Sequence, residues 1–254
     1  AMEYFKIAYD TTNYSDAWQQ VRKVWVEKNA WTIPVVVILF FFILSKIFKY
    51  AGKVNAAGLQ LKKKRTLKEE FMYGYHVMFH PFDGYWDLKH EKRGSARSAF
   101  LILLVTLLSF FYQTVGTGYI FAGNDISTDA LFVTLISVVV PIVLWVIAHW
   151  CPTTLFEGEG NFGDVFTATC YSLTPLPLVL FPATLVSNVL VAEEGALIDM
   201  CITIAFVWTG LLLFFGIMIT HDYPMVKNFV TVIVTIVGMA FIMFLIILFA
   251  TLVS

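Results

Sequence analysis

Charged residues are scarce in this chain. Asp, Glu, Lys and Arg make up 14% of its 254 residues, whereas a soluble domain carries about a quarter. Hydrophobic residues make up 59%, and the mean hydropathy is +0.76. So little polar surface cannot cover a soluble globule, and the composition therefore excludes a soluble fold and predicts a membrane protein.

Cysteine is rare as well. Cys151, Cys170 and Cys201 form neither a CxxC pair nor a cluster with the spacing of metal ligands. We interpret all three as reduced residues in or beside membrane helices. The sequence also lacks a Ser–His–Asp set, a Cys–His pair and paired carboxylates. We therefore expect no enzyme activity, no catalytic residue, no cofactor and no bound metal.

Long hydrophobic runs are what the sequence has in abundance. Runs such as IVLWVIAHW and FIMFLIILFATLV lack the alternation of a membrane β-strand, so we expect helices. Six runs have or approach the length of a spanning helix, about 20 residues. They cover residues 31–48, 98–121, 130–150, 173–192, 197–220 and 229–253. The predicted fold class is all-α: a polytopic helical membrane protein.

These runs and the polar stretches between them divide the chain into four parts. Residues 1–30 form an N-terminal amphipathic segment, and residues 31–48 form a first membrane helix. Residues 49–97 form a basic loop that contains an aromatic elbow. Residues 98–254 form a membrane core of five spans. The charged residues of this core fall in connections or at span edges, which argues against an ion-coupled pump.

The distribution of Lys and Arg predicts the orientation. Twelve of the seventeen lie between residues 46 and 97. The positive-inside rule therefore places residues 50–97 in the cytoplasm. With six spans, both termini are then outside. We expect a multi-pass protein of the plasma membrane.

Before the first span, residues 16–28 show a helical apolar stripe formed by Trp18, Val21 and Trp25. Tryptophan favours the membrane interface, so we predict an interfacial helix; the alternative is a short helix that packs on the protein's own loops. The run 31–48 is the weakest span, because Pro34 lies near its start and Lys46 near its end. Its alternative is an interfacial or re-entrant helix.

The segment HPFDGYWDLKHEKRGS, residues 80–95, is dense in aromatic and charged side chains. We interpret it as a cytoplasmic elbow on the membrane surface that docks lipid headgroups or a partner protein. His76 and His80 are spaced four apart, as are Asp83 and Asp87, which is compatible with metal binding. However, Pro81 disfavours a helical His80, so we do not predict a metal site.

A second polar segment, residues 151–174, follows the third span. Its GEGNFG stretch resembles a phosphate-binding fingerprint only in spacing, since it follows a membrane helix and no strand. After it, an apolar stripe predicts an amphipathic helix in the cytoplasmic interface. The candidate docking residues of the two segments together are His80, Phe82, Asp83, Tyr85, Trp86, Asp87, Lys89, Lys92, Arg93, Phe162 and Phe166.

Other polar residues suggest local roles. The run KKKRTLKEE, residues 62–70, suits anionic headgroups or simply determines topology. Within the spans, Gln113 and Asn188 are expected to form hydrogen bonds between helices. His149 ends its helix next to Trp150, which favours an interface anchor over a proton relay.

The two polar segments also carry a family resemblance. HPFDGYWDLKHEKRGS, then a span, then LFEGEGNFGDVFTATCYSLTPLPL after the next span resemble the bacterial branch of the Yip1 family, in its Gram-positive form. The similarity covers residues 70–254 and implies a five-helix membrane core. Eukaryotic relatives are implicated in vesicle trafficking and in binding small prenylated GTPases. Their DLYGP-like motif is absent here, because Asp87 and Leu88 are followed by Lys89 and His90.

Three functions remain open from the sequence. The first is a non-enzymatic membrane scaffold or accessory protein, with a lipid bilayer or a membrane protein such as an ABC-type transporter as its partner. The second is a transporter, channel or lipid-translocating protein, which needs a polar groove through the core. The third, a membrane enzyme, lacks convergent ionisable residues. No nucleic-acid partner is expected, and the oligomeric state is left open.

Overall fold

The structure, a computed structural model, describes residues 2–59, 65–122, 128–153 and 157–253. Helices fill these ranges apart from short connections. In chain order they are α1 (Met2–Ile7), α2 (Thr11–Asn29), α3 (Thr32–Leu59), α4 (Leu67–Phe79), α5 (Pro81–His90), α6 (Ala96–Gly116), α7 (Thr128–Thr153), α8 (Phe162–Ser172), α9 (Pro175–Ser187), α10 (Gly195–His221) and α11 (Met225–Val253). Residues 62–64 of the predicted basic run lie outside the described residues.

Within the described ranges, six helical segments are long and apolar enough to cross a membrane, which confirms a polytopic all-α protein. They are Thr32–Ala56, Ala96–Gly116, Asp129–Pro152, Phe162–Ser187, Ala192–His221 and Met225–Phe249. The predicted first membrane helix is among them and extends beyond residue 48. The predicted number of six is confirmed.

The fourth span differs from its prediction. The segment Phe162–Ser172 was expected to lie in the interface, but α8 is largely buried after its exposed first turn, with Val165 and Tyr171 both 0% exposed. It continues into α9 after a kink at Leu173. There the backbone N–H groups donate to the carbonyl three residues earlier instead of four, and Pro175 has no N–H to donate. The two helices together are long and apolar enough to form one span. The prediction is wrong for the buried part of α8, because α8 contacts α6, α7 and α10.

Helices α4 and α5 form a hairpin. Thr66 and Glu69 form a capping box that begins α4. His80 ends α4 and begins α5, with Pro81 in the first helical position. Gly84 lets the two helices approach closely, because a Cβ atom there would lie 2.8 Å from the Cα of Val77.

The main core lies where this hairpin meets α6, α8 and α10. Its buried side chains are Tyr73, Val77, Met78, Tyr85, Leu88, Ile102, Ala168, Tyr171 and Leu212. A second cluster joins α9 to α10 through Leu180 and Ala205. A third joins α7, α8 and α10. The hairpin is thus part of the folded core.

We call the end of the bundle where α3 ends and α6 begins the basic side, and the end where α2 lies the opposite side. On the opposite side, Arg22 of α2 pairs with Glu194 at 2.5 Å and donates to the carbonyl of Val189. Ser15 accepts a hydrogen bond from the backbone of Ala192. The predicted amphipathic helix is therefore present, and polar contacts hold it over the loop before α10.

Helix α3 contacts the rest of the molecule unevenly. Towards the basic side, Phe48 packs on Tyr75 and Phe79 of α4. Towards the opposite side, all ten large apolar side chains between Ile33 and Ile43 are 41–67% exposed. A cavity of about 700 Å³ separates this part of α3 from α2 and from Val189 and Leu190.

Candidate functional site

The two polar segments predicted from sequence meet in the structure. Lys89 of α5 pairs with Glu159 at 2.7 Å, and Lys92 pairs with Asp164 of α8 at 3.0 Å. Each pair joins residues at least 70 positions apart. The ammonium group of Lys89 holds the pKa of the Glu159 carboxyl below its ordinary value. The segments therefore form one face on the basic side, which we call the docking face.

Several predicted docking residues are exposed on or beside this face. Trp86 and Phe162 are 51% and 46% exposed, whereas Phe82, 55% exposed, lies next to the turn of the hairpin, where its ring contacts Phe215 of α10. The Trp86 ring stacks on His90 at 4.6 Å, and the Phe162 ring contacts Trp150 at 5.9 Å. An exposed, pre-ordered aromatic ring is a suitable anchor for a partner or for headgroups.

Other predicted docking residues are not on the surface. Tyr85 is 1% exposed and its hydroxyl lies 2.6 Å from Ser172, deep in the core. Arg93 is 5% exposed. Phe166 is partly covered and packs on Phe100. Tyr85 and Arg93 are therefore corrected to structural residues, because the hairpin turns their side chains towards α8 and α4.

Arg93 instead anchors a buried polar cluster in the hairpin. Its guanidinium lies 3.4 Å from Asp87 and 3.0 Å from Glu91. It also lies over the ring of Tyr73 at 5.1 Å, and the Tyr73 hydroxyl donates to Asp87 at 2.7 Å. Asp87 is thus compensated by a charge and a donor, as a shielded carboxylate requires.

A second cluster fixes the hairpin to α6. The Glu70 carboxylate is buried, accepts from Ser95 and pairs with Arg97 at 3.0 Å. The Tyr171 hydroxyl donates to the backbone carbonyl of Glu70 at 2.7 Å and lies 2.9 Å from Ser98. Three helices are thereby tied together at the basic side.

The candidate metal residues His76 and His80 are close to each other. Their rings stack at 4.8 Å. His80 and Asp83 are exposed, whereas His76 is partly covered. Among the described residues, no group of three His, Cys, Asp or Glu side chains is arranged to hold a metal ion.

His149 differs from its predicted role as an interface anchor, since it is 0% exposed. The Thr235 hydroxyl donates to Thr231, so the His149 Nδ1–H donates to Thr235 at 2.9 Å. The His221 ring lies 5.3 Å away and its Nδ1 accepts from Gly160. A metal bound at His221 Nε2 would require the proton of the neutral ring on Nδ1. That N–H would then face the N–H of Gly160 and could not accept its hydrogen bond. The pair therefore does not fit a shared metal.

Sequence reasoning missed two contacts: the His221 ring lies beside His149, and the Tyr73 hydroxyl donates to Asp87. His221 ends a hydrophobic run, and Tyr73 precedes the elbow by seven residues. Gly74 and Gly84 were the available signal, because small residues allow close helix packing. The predicted role of Asn188 is confirmed: its amide donates to the carbonyl of Gly116 on α6 at 2.8 Å.

Comparison with known proteins gives one match. The family model of the Yip1 domain matches residues 75–248, which is more than half of the chain. The match begins inside α4 and ends inside α11, so it includes both segments of the docking face. No curated protein and no solved structure matches the chain.

Proposed function

The chain belongs to the Yip1 domain family, and we propose that it is a non-enzymatic accessory or scaffold protein of the plasma membrane. Its docking face contacts a partner membrane protein or lipid headgroups. The basic side, with residues 50–97, faces the cytoplasm in this proposal, because Lys and Arg are concentrated there. The C-terminus is then outside.

One observation carries this proposal. The Lys89–Glu159 and Lys92–Asp164 pairs join two distant segments into a single ordered face with exposed aromatic rings at its edges. A surface whose loops are already fixed loses little conformational entropy on binding. The most direct partner is another multi-pass protein, such as an ABC-type transporter, whose cytoplasmic parts reach the same level.

Site-specific photo-crosslinking tests the proposal. A photoreactive amino acid replaces Trp86 or Phe162 in the full chain, and the control replaces Phe229. Phe229 is 58% exposed and lies in the first turns of α11, also on the basic side. In native membranes we expect the same discrete protein adduct from both docking positions and not from the control.

Two results would contradict docking on a protein. Adducts with lipid alone would leave headgroups as the partner of the face. Adducts spread equally over all three positions would show that the face has no preferred partner. Purification of the adduct and mass spectrometry identify the partner without assuming that it is a transporter.

A lipid-translocating or transport function is the second candidate. The exposed His80 and Asp83 favour it, because they lie in a hairpin that packs on membrane-spanning helices. Reconstitution into liposomes with fluorescent phospholipids tests it. Faster loss of outer-leaflet fluorescence than in protein-free liposomes would support translocation, and equal rates would exclude it for those lipids.

A further inference from the structure

The hairpin of α4 and α5 reaches the middle of a spanning helix. At its tip, the Trp208 indole donates to the carbonyl of Met78 at 3.3 Å, and its ring contacts Phe79 at 5.6 Å. Trp208 is the central residue of α10, which has 27 residues. At 1.5 Å per residue it lies about 20 Å from either end. The tip therefore lies beside the middle of a helix that is long and apolar enough to cross the membrane.

Both ends of the hairpin lie on the basic side. Glu70, near the start of α4, contacts Ser95 and Arg97 at the beginning of α6. Lys89, near the end of α5, contacts Glu159 before α8. The chain thus enters from the basic side, turns at His80 and returns. These contacts show that the segment predicted as a surface elbow is a hairpin that enters and leaves the helix bundle on the same side.

A file of polar side chains follows the hairpin from its base to its tip. At the base, Arg93 contacts Asp87, which accepts from Tyr73. The Tyr73 ring lies 5.2 Å from the ring of His76, which stacks on His80. Asp83 follows in the first turn of α5. His76 also lies within electrostatic range of Asp83, Asp87 and Arg93.

These groups require water at a depth where lipid tails offer none. An ionisable side chain in the hydrocarbon core is costly unless it faces a partner or a water-filled cavity. Asp83 and His80 are exposed at the tip. At the base, the buried Nη2 of Arg93 has no hydrogen-bond partner among the described residues. Unmet polar groups therefore occur at both ends of the file.

We propose that the less buried members of this file, Asp87, His76, His80 and Asp83, line a water-filled furrow which carries water and protons from the basic side to the middle of the bilayer. His76 and His80 can each accept and release a proton on a ring nitrogen, and the Asp83 carboxylate can accept one. The furrow reaches mid-depth only, because the hairpin ends there. This inference does not depend on the proposed docking function.

Thiol accessibility tests the furrow in the full-length protein in liposomes. His80→Cys and Asp83→Cys are made in a Cys151→Ser, Cys201→Ser background; Cys170 is 0% exposed and stays. The matched controls are Val237→Cys and Phe241→Cys, which are 63% and 58% exposed and flank the centre of α11. The probe is a charged, membrane-impermeant methanethiosulfonate, and mass spectrometry follows modification.

We expect the tip thiols to react at least about tenfold faster than the controls, since the reactive thiolate forms only where water reaches it. Equal, slow reaction at all four positions would overturn the furrow. A second variant, Phe79→Cys with Trp208→Cys, establishes depth, because these rings lie 5.6 Å apart and Trp208 is the central residue of α10. A short bifunctional maleimide should join them. Fast modification of the tip thiols without this cross-link would mean that the hairpin is a surface elbow, and this result would also overturn the proposal.

Discussion

The two halves of α3 belong to one helix and have different surroundings. Towards the basic side, Phe48 packs on the hairpin and Asn55 donates to the carbonyl of Met72. Towards the opposite side, residues 33–43 are exposed on every face of the helix. The hairpin accounts for the difference, because it fills the space beside α3 only to mid-depth.

This comparison shows what holds helices together in this protein. The exposed half, residues 33–43, is the more apolar one, whereas the packed half contains Lys46, Lys49 and Lys53, so hydrophobicity does not select the packed half. In a bilayer, lipid tails are as apolar as protein, and helices associate through close packing and hydrogen bonds. The hairpin supplies both, through Gly84 and through the Glu70 cluster.

The largest expected effect comes from closing the hairpin's tightest contact. In Gly84→Ala, the new Cβ would lie 2.8 Å from the Val77 backbone, so α4 and α5 must move apart. Overpacking of this kind costs about 1–3 kcal/mol. Gly210→Ala is the control, because nothing lies within 4 Å of its Cβ position. Unfolding in mixed detergent micelles measures both, and equal stability of the two variants would contradict a close-packed hairpin.

A matched pair of phenylalanines on α3 tests the two halves directly. Phe48→Ala removes ring contacts with Tyr75 and Phe79, and we expect a loss of about 1–2 kcal/mol in the free energy of unfolding. Phe41 is 63% exposed in the other half, and Phe41→Ala should change stability by less than about 0.5 kcal/mol. A large loss in Phe41→Ala would mean that a partner covers the exposed half.

The buried hydroxyl of Tyr85 should have a moderate effect. Ser172 donates its own hydrogen to Ala168, so the Tyr85 hydroxyl donates to Ser172 at 2.6 Å. Tyr85→Phe removes that hydrogen bond, which costs about 1 kcal/mol. Tyr4→Phe serves as the control, since Tyr4 is 77% exposed. An unchanged free energy of unfolding in Tyr85→Phe would show that the Tyr85 hydroxyl is not in the core.

On the opposite side, the Arg22–Glu194 pair should contribute less. Its two contacts measure 2.5 and 2.9 Å, but both side chains are partly exposed. A double-mutant cycle with Arg22→Met and Glu194→Gln should give a coupling energy of about 0.5 kcal/mol, reduced in high salt. A coupling energy near zero at low salt would mean that α2 is held by other contacts.

The smallest effect concerns the pH dependence of the docking face. Lys89 lowers the pKa of Glu159, so the pair stabilises the face at neutral pH and is lost only as the pH falls through that lowered value. Carboxyl NMR in nanodiscs measures the titration midpoint of Glu159. In Lys89→Met the midpoint should rise towards the ordinary value. An unchanged midpoint would show that the two segments do not meet in solution.

Much of the fold follows from the sequence, since hydrophobic runs and the pattern of Lys and Arg are local properties. The spans were predictable because each run must satisfy its own backbone hydrogen bonds in lipid. Helix α8 was mispredicted because an amphipathic stripe is equally compatible with an interface and with a polar-lined core. For His149, the sequence does not reveal that Thr235, 86 residues away, accepts a hydrogen bond from its ring.

The sequence by itself determined the number of membrane helices, the helical class and the residues of the two polar segments. Composition and periodicity carry that information without reference to distant residues. The tertiary structure alone decided that Tyr85 and Arg93 are buried, that the two segments share one face and that the elbow extends to the middle of α10. Depth and burial depend on which helices pack together, and helix packing is a property of pairs that no single stretch of sequence contains.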